Sequence, residues 1–294
     1  MPGGSRQGRM AFSLIELLVV LGIISLLMSI TLPVLSKARR QAEALLSVGN
    51  QRQIVTAVNI FANDNNGRYP PSVATIGMAD DWHWQEPTML TAYRKRSPGL
   101  RRSISAYLHE YTPDSSVMCC PSAPGEHKYF RQAWQVGDDW DHPETDPIPD
   151  PLFGNYCFYW NYKGCLVDDQ SIFVGPSGPA FAHRQSRLLV SCYLGYNHWR
   201  SRGAFGSCER FQASQVTEGS DVSSPYWSLP ATSYKAQLKT LTITPHAGYT
   251  DGHVKSFSPS DVAAMKVSIT DDGTKPYPDT TGYGVFLLPK DSLD

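Results

Sequence analysis

One stretch near the start of this 294-residue chain decides its fold: Met10-Ala11-Phe12-Ser13-Leu14-Ile15-Glu16-Leu17-Leu18-Val19-Val20. The stretch places a single carboxylate, Glu16, at the start of an apolar run that contains no further charged residue before Lys37. As a helix, this run covers roughly 30 Å, which is enough to cross the hydrocarbon core of a bilayer. Because a lone charge costs about 2.5–3.5 kcal/mol in such a segment, we expect Glu16 to have a partner of opposite charge.

The leader before this run, residues 1–11, contains Arg6 and Arg9 and no acidic residue. A basic flank followed by an apolar run is typical of a secretory signal peptide, whose apolar core is usually about 7–15 residues long. Here the run is longer and continues into a basic, alanine-rich helical pattern, which favours a retained membrane anchor. The basic leader predicts a cytoplasmic N-terminus, although the basic residues that follow the run oppose this charge asymmetry.

At Phe12-Ser13-Leu14-Ile15-Glu16 the chain resembles the type IV pilins and the pseudopilins of type II secretion systems. In that family a short basic leader is removed just before a Phe-Thr-Leu-Ile-Glu-like sequence. The resemblance implies that a prepilin peptidase cleaves between Ala11 and Phe12 and that the new amine of Phe12 is methylated. The family usually has Gly where this chain has Ala11, so we expect slower processing. Pro33 lies where the family often has a helix-kinking proline, and its ring predicts a kink on physical grounds as well.

The resemblance suggests a partner for Glu16. Cleavage creates a cationic amine on Phe12, one helical turn away, and in a bundle of such helices the carboxylate of one subunit can neutralise the amine of its neighbour. A low dielectric strengthens this attraction and makes an unpaired carboxylate costly. Glu16 is therefore predicted to set the register of subunit assembly. The alternative is an uncleaved signal anchor whose Glu16 reaches the membrane interface.

The helical pattern continues beyond the membrane-length run. A stripe of small and apolar residues recurs at the spacing of one helix face, namely Ala38, Ala42, Leu45, Val48, Val55, Val58 and Phe61. Amide and basic residues, Gln51 among them, are predicted to occupy the opposite face. The sequence Asn63-Asp64-Asn65-Asn66-Gly67 is expected to end the helix, with Gly67 as its left-handed cap.

These boundaries predict four segments: a leader at 1–11, a transmembrane and assembly helix at 12–36, an amphipathic stem helix at 37–66 and a head at 67–294. In the head, a helix capped by Ser97 is predicted at 97–111. Runs rich in β-branched and aromatic residues predict strands at 155–162, 187–194, 239–244, 253–257 and 283–288. A long helix packed on an antiparallel sheet with long loops is an α+β architecture, and the pilin resemblance implies the same fold.

A second informative segment begins at His246 and contains Asp251-Gly252-His253-Val254. Asp251-Gly252 between strand-like runs predicts a two-residue hairpin turn with positive φ at both positions. Ser258 after it is predicted to start a helix. The segment resembles the C-terminal region of a pilin-like subgroup in which a His precedes Asp-Gly-His-Val by about nine residues. Here only four residues separate His246 from Asp251, so a shared role for His246 is not implied.

No cofactor is expected. Some pseudopilins hold calcium in a C-terminal loop, so calcium with Asp251 as a ligand stays open as an alternative. Histidine is a poor calcium ligand, and Asp251 with His246 and His253 lacks the fourth ligand of a tetrahedral zinc site. A hairpin turn with exposed histidines is therefore favoured over a metal site.

The predicted exported head contains six cysteines, in a location where disulfides form: Cys119, Cys120, Cys157, Cys165, Cys192 and Cys208. Six cysteines allow fifteen complete pairings, so the connectivity stays open. The adjacent Cys119 and Cys120 are expected to pair with distant partners rather than with each other. A buried thiol is the alternative for each of the six.

The sequence contains no Gly-x-Ser-x-Gly, His-Glu-x-x-His or phosphate-binding glycine loop, so we do not expect an enzyme. The net charge of −1 argues against a nucleic-acid-binding surface. The tryptophans leave one alternative function open, a membrane-anchored surface protein that binds glycans and does not polymerise. They are Trp82, Trp84, Trp134, Trp140, Trp160, Trp199 and Trp227, and core packing explains them equally well.

The sequence therefore predicts a pilin-like structural subunit with one inner-membrane span and a periplasmic head. Its expected partners are the prepilin peptidase and methyltransferase, other pilin-like subunits through the N-terminal helix, and the inner-membrane assembly platform. The sequence does not decide between a periplasmic type II secretion pseudopilus and a type IV pilus at the cell surface.

Overall fold

The computed structural model describes residues 13–78, 81–92, 99–112, 114–123, 128–137, 152–169, 171–180, 185–198, 201–207, 238, 241, 243–266 and 285–293. These residues form a long N-terminal helix and antiparallel β-sheets on which it packs, so the predicted α+β class is confirmed. The chain divides into two compact units, Met1–Glu43 and Ala44–Asp294.

Helix α1 runs from Leu14 to Asp64, a length of 51 residues, and contains the boundary between the two units. It ends as the sequence predicts. Gly67 has a φ of +73°, and its N–H donates to the carbonyl oxygen of Ala62 over 2.7 Å. Glycine adopts this left-handed conformation without the steric cost of a Cβ, so its N–H can turn back to a carbonyl of the last helical turn.

The strands of the second unit, as far as the structure describes it, form three antiparallel sheets. Their bounds are β1 Thr75–Met78, β2 Asp81–Trp84, β3 Tyr156–Phe158, β4 Lys163–Leu166, β5 Ile172–Val174, β6 Leu188–Cys192, β7 Leu194–His198, β8 Ser201–Gly206, β9 His246–Tyr249, β10 Val254–Ser256, β11 Val262–Lys266 and β12 Val285–Pro289. Strands β1 and β2 pair with each other. The second sheet has the order β10-β9-β6-β3, and the third has the order β5-β4-β11-β12-β7-β8.

Short helices lie between these strands: α2 Ser105–Leu108, α3 Lys128–Val136, and 3₁₀ helices at Ser115–Met118 and Lys290–Ser292. The predicted helix at 97–111 is therefore too long. Among its described residues only Ser105–Leu108 is α-helical, because Ser103 is held in an isolated antiparallel bridge to Thr91.

The predicted strands at 155–162, 187–194 and 253–257 contain β3, β6 and β10, and the one at 283–288 covers β12 except for Pro289. In the predicted strand at 239–244, the described residues 241, 243 and 244 are not in a strand. The predicted helix start at Ser258 is wrong, because the chain makes only a turn there, with the N–H of Asp261 donating to the carbonyl of Ser258. It then enters β11, which gains ladder pairing from β4 and β12 on its two sides.

The end of α1 packs on the four-stranded sheet. Ile54, Val55 and Val58 are fully buried on this face of the helix. A Cβ on Gly248 of β9 would lie 2.9 Å from a Val55 methyl carbon and 3.0 Å from one of Val190. Glycine at this position therefore lets the sheet approach the helix more closely than any larger residue would.

Candidate functional site

The first part of α1 exposes its side chains all round. Every residue from 13 to 42 is exposed. The large apolar side chains of this segment are 42–82% exposed, and they are Leu14, Ile15, Leu17, Leu18, Val19, Val20, Leu21, Ile23, Ile24, Leu26, Leu27, Met28, Ile30, Leu32, Val34 and Leu35. By length and composition, α1 can cross a membrane. Apolar surface of this extent is found where a lipid or protein surface covers it.

Glu16 has a local role that the sequence analysis missed. Its Oε2 accepts the backbone N–H of Ser13 over 2.9 Å, while the Ser13 hydroxyl accepts the N–H of Ile15 over 3.3 Å. This reciprocal pair is a capping box, in which a Ser and a Glu three residues later satisfy donors at a helix start. The spacing Ser13-x-x-Glu16 was readable in the sequence. Ala11 and Phe12 lie outside the described residues, so their predicted cleavage and methylation stay predictions.

The hydroxyls of the apolar segment bond to its own backbone. Ser25 donates to the carbonyl of Leu21 over 2.7 Å, and Ser29 donates to that of Leu26 over 2.7 Å. Such bonds keep polar groups satisfied where water is scarce. Pro33 lies inside α1, which continues beyond it. The predicted kink at Pro33 stays a prediction.

In the second unit, three side-chain amides of α1 hold the helix to the head. Asn50 donates to the carbonyl of Cys119 over 3.2 Å, Gln51 to that of His246 over 3.2 Å, and Asn59 to that of Thr250 over 3.1 Å. The prediction that Gln51 occupies the solvent face is wrong, since its side chain is fully buried. Leu45, predicted on the packed stripe, is 73% exposed instead.

Gln51 belongs to a buried polar cluster, which we define as Ser47, Gln51, Cys120, Cys192 and His246. The Sγ of Cys192 accepts hydrogen bonds from Nε2 of Gln51 and from the backbone N–H of His246, each over 3.3 Å. The Ser47 hydroxyl lies 3.9 Å from Sγ of Cys192 and 3.9 Å from Sγ of Cys120. The helix thus meets two cysteines from distant parts of the sequence at one buried point.

Burial lowers the pKa of His246, and the nearby Cys120 opposes this shift to a smaller extent. A proton on the imidazole would have to be desolvated in this position, so the neutral ring is favoured. His246 is therefore a partly buried member of the core, in contrast to the exposed histidine that the hairpin interpretation predicts.

The described cysteines lie in or near the core. Cys120, Cys157, Cys165 and Cys192 are buried and Cys119 is partly buried, and no two of these five are joined to each other by a disulfide. Cys208 lies outside the described residues. The predicted disulfides therefore stay predictions. The positions of the five described sulfurs now limit which of these cysteines can pair.

The Asp-Gly segment forms the β9–β10 hairpin, but with a different turn from the predicted one. Gly252 has a φ of +93°, whereas the φ of Asp251 is not positive. The N–H of Gly252 donates to the carbonyl of Tyr249, and the N–H of Tyr249 donates to that of His253. These bonds fit a three-residue loop with a left-handed glycine, which widens the hairpin by one residue relative to the two-residue turn.

Asp251 and His253 interact within this hairpin. Oδ1 of Asp251 accepts the backbone N–H of His253 over 3.2 Å and also contacts Nδ1 of its ring. The His253 ring stacks on that of Tyr249, with centroids 4.4 Å apart. Burial raises the pKa of Asp251, and the hydrogen bonds from His253 lower it by more, so the net shift is downward. His253 is exposed, as predicted.

Asp291, in the 3₁₀ helix Lys290–Ser292, binds side chains of the same hairpin. Oδ1 of Asp291 accepts the Tyr249 hydroxyl over 3.1 Å, and Oδ2 forms an ion pair with Lys255. Burial raises the pKa of Asp291, and the hydrogen bonds from Lys255 and Tyr249 lower it by more. The hairpin is thus joined to α1 through Asn59 and Gln51 and to the C-terminus through Asp291.

Within the described ranges, no group of three or more His, Cys, Asp and Glu side chains is placed to hold a metal ion. Trp84, Trp134 and Trp160 are buried in the core, so these three do not form a surface platform. The side chain of Trp82, like Trp140, Trp199 and Trp227, lies outside what the structure describes.

Comparison with known proteins gives no match for this chain among family models, curated proteins or solved structures.

Proposed function

We propose that this chain is a pilin-like structural subunit, anchored in the inner membrane by α1 and assembled through the same helix into a filament. The filament is a type II secretion pseudopilus or a type IV pilus-like fibre. The observation that carries the proposal is the exposure of α1 from residue 14 to residue 42, apolar around the whole helix up to Leu35 with one acid in its first turn. While the subunit is in the membrane, lipid covers this surface. In the filament, the helices of neighbouring subunits take the place of the lipid.

Maturation prepares this helix for assembly. A prepilin peptidase removes residues 1–11, and methylation follows on the new amine of Phe12. A carboxylate has two oxygens and about four acceptor positions. Glu16 can therefore keep its bond from Ser13 and still accept the Phe12 amine of a neighbouring subunit. That second interaction gives the lone acid its opposite charge.

The remaining partners follow from this route. The basic leader faces the cytoplasm, where the peptidase and methyltransferase act, and the head lies in the periplasm. An inner-membrane assembly platform then transfers the subunit from the bilayer into the filament. The head, joined to α1 through buried contacts, forms the outer layer of the filament and takes no catalytic part.

Mass spectrometry of the mature N-terminus tests the maturation step. The protein is purified from membranes of its native host and compared with an Ala11→Gly variant and with a host that lacks its prepilin peptidase. We expect an N-methylated Phe12 as the first residue, more complete cleavage in Ala11→Gly, and uncleaved protein without the peptidase. An intact Met1 in the native host, or a cut near Ser36, would overturn the proposal.

The capping box allows the charge of Glu16 to be tested apart from its local role. Glu16→Gln keeps an oxygen that accepts the Ser13 N–H but removes the charge, whereas Ser13→Ala removes the hydroxyl cap and keeps the charge. We expect Glu16→Gln to be inserted and cleaved normally but to reduce incorporation into sheared or cross-linked filaments at least tenfold. Ser13→Ala should assemble close to the wild-type level. Equal assembly of Glu16→Gln and wild type would contradict a register role for the charge.

A further inference from the structure

The buried polar cluster brings together two cysteines that are far apart in the sequence. Cys120 follows the 3₁₀ helix Ser115–Met118, and Cys192 ends strand β6. Both sulfurs lie 3.9 Å from the same Ser47 oxygen. They are therefore no more than about 8 Å apart, and rotation of the two cysteine side chains about χ1 can bring them closer together.

We propose that Cys120 and Cys192 form a disulfide in the exported head, closing beneath α1 at Ser47. The inference rests on the export step of the proposed function, because disulfides persist in oxidising compartments. It assigns one pair among the pairings that the sequence leaves open.

The chemistry needs an oxidised thiol–disulfide oxidoreductase. The Cys120 thiolate attacks the disulfide of the oxidoreductase and releases one of its sulfurs as a thiol. Cys192 then attacks Sγ of Cys120 in the mixed disulfide and releases the second sulfur. In total two S–H bonds are lost and one S–S bond forms, and two electrons and two protons pass to the oxidoreductase. Both sulfurs are buried in the folded head, so the reaction with the oxidoreductase begins before the core closes and is completed as it closes.

As the core closes, the surroundings of Cys192 favour it as the second nucleophile. Two N–H groups, from Gln51 and from the backbone of His246, donate to its sulfur. Such donors stabilise negative charge on sulfur, and the thiolate is the reactive form. A thiol in purely apolar surroundings has no such stabilisation.

Cys157 lies on β3, the strand paired with β6, and strand geometry excludes it as the partner of Cys192. On β3, Tyr156 is paired with Cys192 and Cys157 is paired with Ser191. Successive side chains of a strand point to opposite faces. Cys157 therefore faces away from Cys192, while Tyr156 reaches Ser47 on the same side, with 2.9 Å between the hydroxyl oxygens.

The test uses the full chain, unfolded in urea and then refolded in detergent in an oxidising glutathione buffer, because both thiols are buried once the head has folded. Thiols are blocked with N-ethylmaleimide before digestion with trypsin without reductant. Cleavage after Lys and Arg gives peptides 103–128, which contains Cys119 and Cys120, and 188–200, which contains Cys192. We expect these two peptides to be joined. The cross-link should persist in Cys119→Ser and disappear in Cys120→Ser and in Cys192→Ser.

A thermal measurement supports the assignment if a serine variant folds poorly. Dithiothreitol should lower the Tm of the wild type by about 5–10 °C, because a disulfide restricts the unfolded chain. Cys157→Ser, an equally buried control, should show the same shift on reduction. Cys120→Ser and Cys192→Ser, already without the bond, should show no shift.

Three results would overturn the pairing: no joined peptides in the oxidising buffer, a cross-link that persists in Cys120→Ser, or a stoichiometric zinc ion with both thiols intact. The same peptides are also examined in protein alkylated directly in the native cells. Formation in glutathione but not in cells would support the pairing and contradict the export step of the proposed function. The two proposals therefore fail in different ways.

Discussion

Residues 14–43 and residues 44–64 of α1 share one helical backbone but differ in what surrounds their side chains. The first part is almost wholly apolar to Leu35, and its side chains are exposed up to residue 42. The second part contains amide, basic and acidic residues, yet its inner face is buried: Ser47, Gln51, Ile54, Val55, Ala57, Val58 and Ala62.

This difference shows that the burial of a helix face depends on the partner and not on hydrophobicity alone. The side chain of Gln51 is buried in the second part because its Nε2 donates to a sulfur and to a backbone carbonyl. The apolar side chains of the first part are exposed although they are more hydrophobic than those of the second part. Changes of similar chemistry in the two parts should therefore have very different effects.

The largest expected effect compares Ile54→Ala with Leu27→Ala. Ile54 is fully buried, so its truncation should lower the free energy of unfolding of the head by about 2–5 kcal/mol through lost burial and a cavity. Leu27 is 57% exposed, and its truncation should change that free energy by less than about 0.5 kcal/mol. Urea unfolding of the detergent-solubilised chain, followed by tryptophan fluorescence, measures both. Equal effects at the two positions would contradict the difference in burial between the two parts of α1.

A smaller effect is expected from Gly248→Ala. The new Cβ would lie 2.9 Å from a Val55 methyl carbon, so overpacking should cost about 1–3 kcal/mol. Val55→Ala removes that methyl group, and the double variant Gly248→Ala/Val55→Ala should be more stable than the sum of the single effects predicts. A double-mutant cycle in urea measures this coupling. Simple additivity would indicate that β9 moves away from α1 rather than packing tightly on it.

The smallest expected effect is a pH dependence that originates from His246. Because burial lowers the pKa of this ring below its usual 6.5, the unfolded chain binds a proton at a higher pH than the folded chain does. Stability is therefore complete above about pH 6.5 and decreases as the pH falls below that value towards the folded pKa. The loss should stay under about 1 kcal/mol, since the ring is only partly buried.

Urea unfolding at several pH values measures this dependence in the wild type and in His246→Asn. The variant should flatten the curve in this window. Asp251 and Asp291 have lowered pKa values, so their contribution is lost only as the pH falls through and below the usual carboxyl value of 3.8. A wild-type curve that is flat between pH 7 and pH 5 would contradict the assignment to His246.

Local patterns in the sequence predicted much of this molecule. The long helix, its glycine cap at Gly67, the apolar run after Glu16 and the α+β class all depend on neighbours in the sequence, and these features are present. The capping box was also readable, because Ser13 and Glu16 stand three residues apart. Such features need only a short range of the chain for their stability.

Contacts between distant segments could not be predicted. From the sequence pattern, Gln51 is expected to face solvent. In the structure it bonds to Cys192 and His246, which lie well over a hundred residues further along the chain. The type of the hairpin turn likewise depends on how β9 pairs with both β6 and β10. Cys120 and Cys192 are brought close together by the tertiary fold. The sequence around either cysteine does not predict that the other lies near it.

The three amides that join α1 to the head also determine how a mechanical force would pass through the protein. Asn50 donates to the carbonyl of Cys119, and Gln51 and Asn59 donate to carbonyls of the β9–β10 hairpin. A pull along the axis of α1 would therefore shear these bonds together, along with the buried contacts of Ile54 and Val55, rather than opening them one at a time. Resistance to stretching would therefore come from the core of the head, and the helix would transmit the force to it.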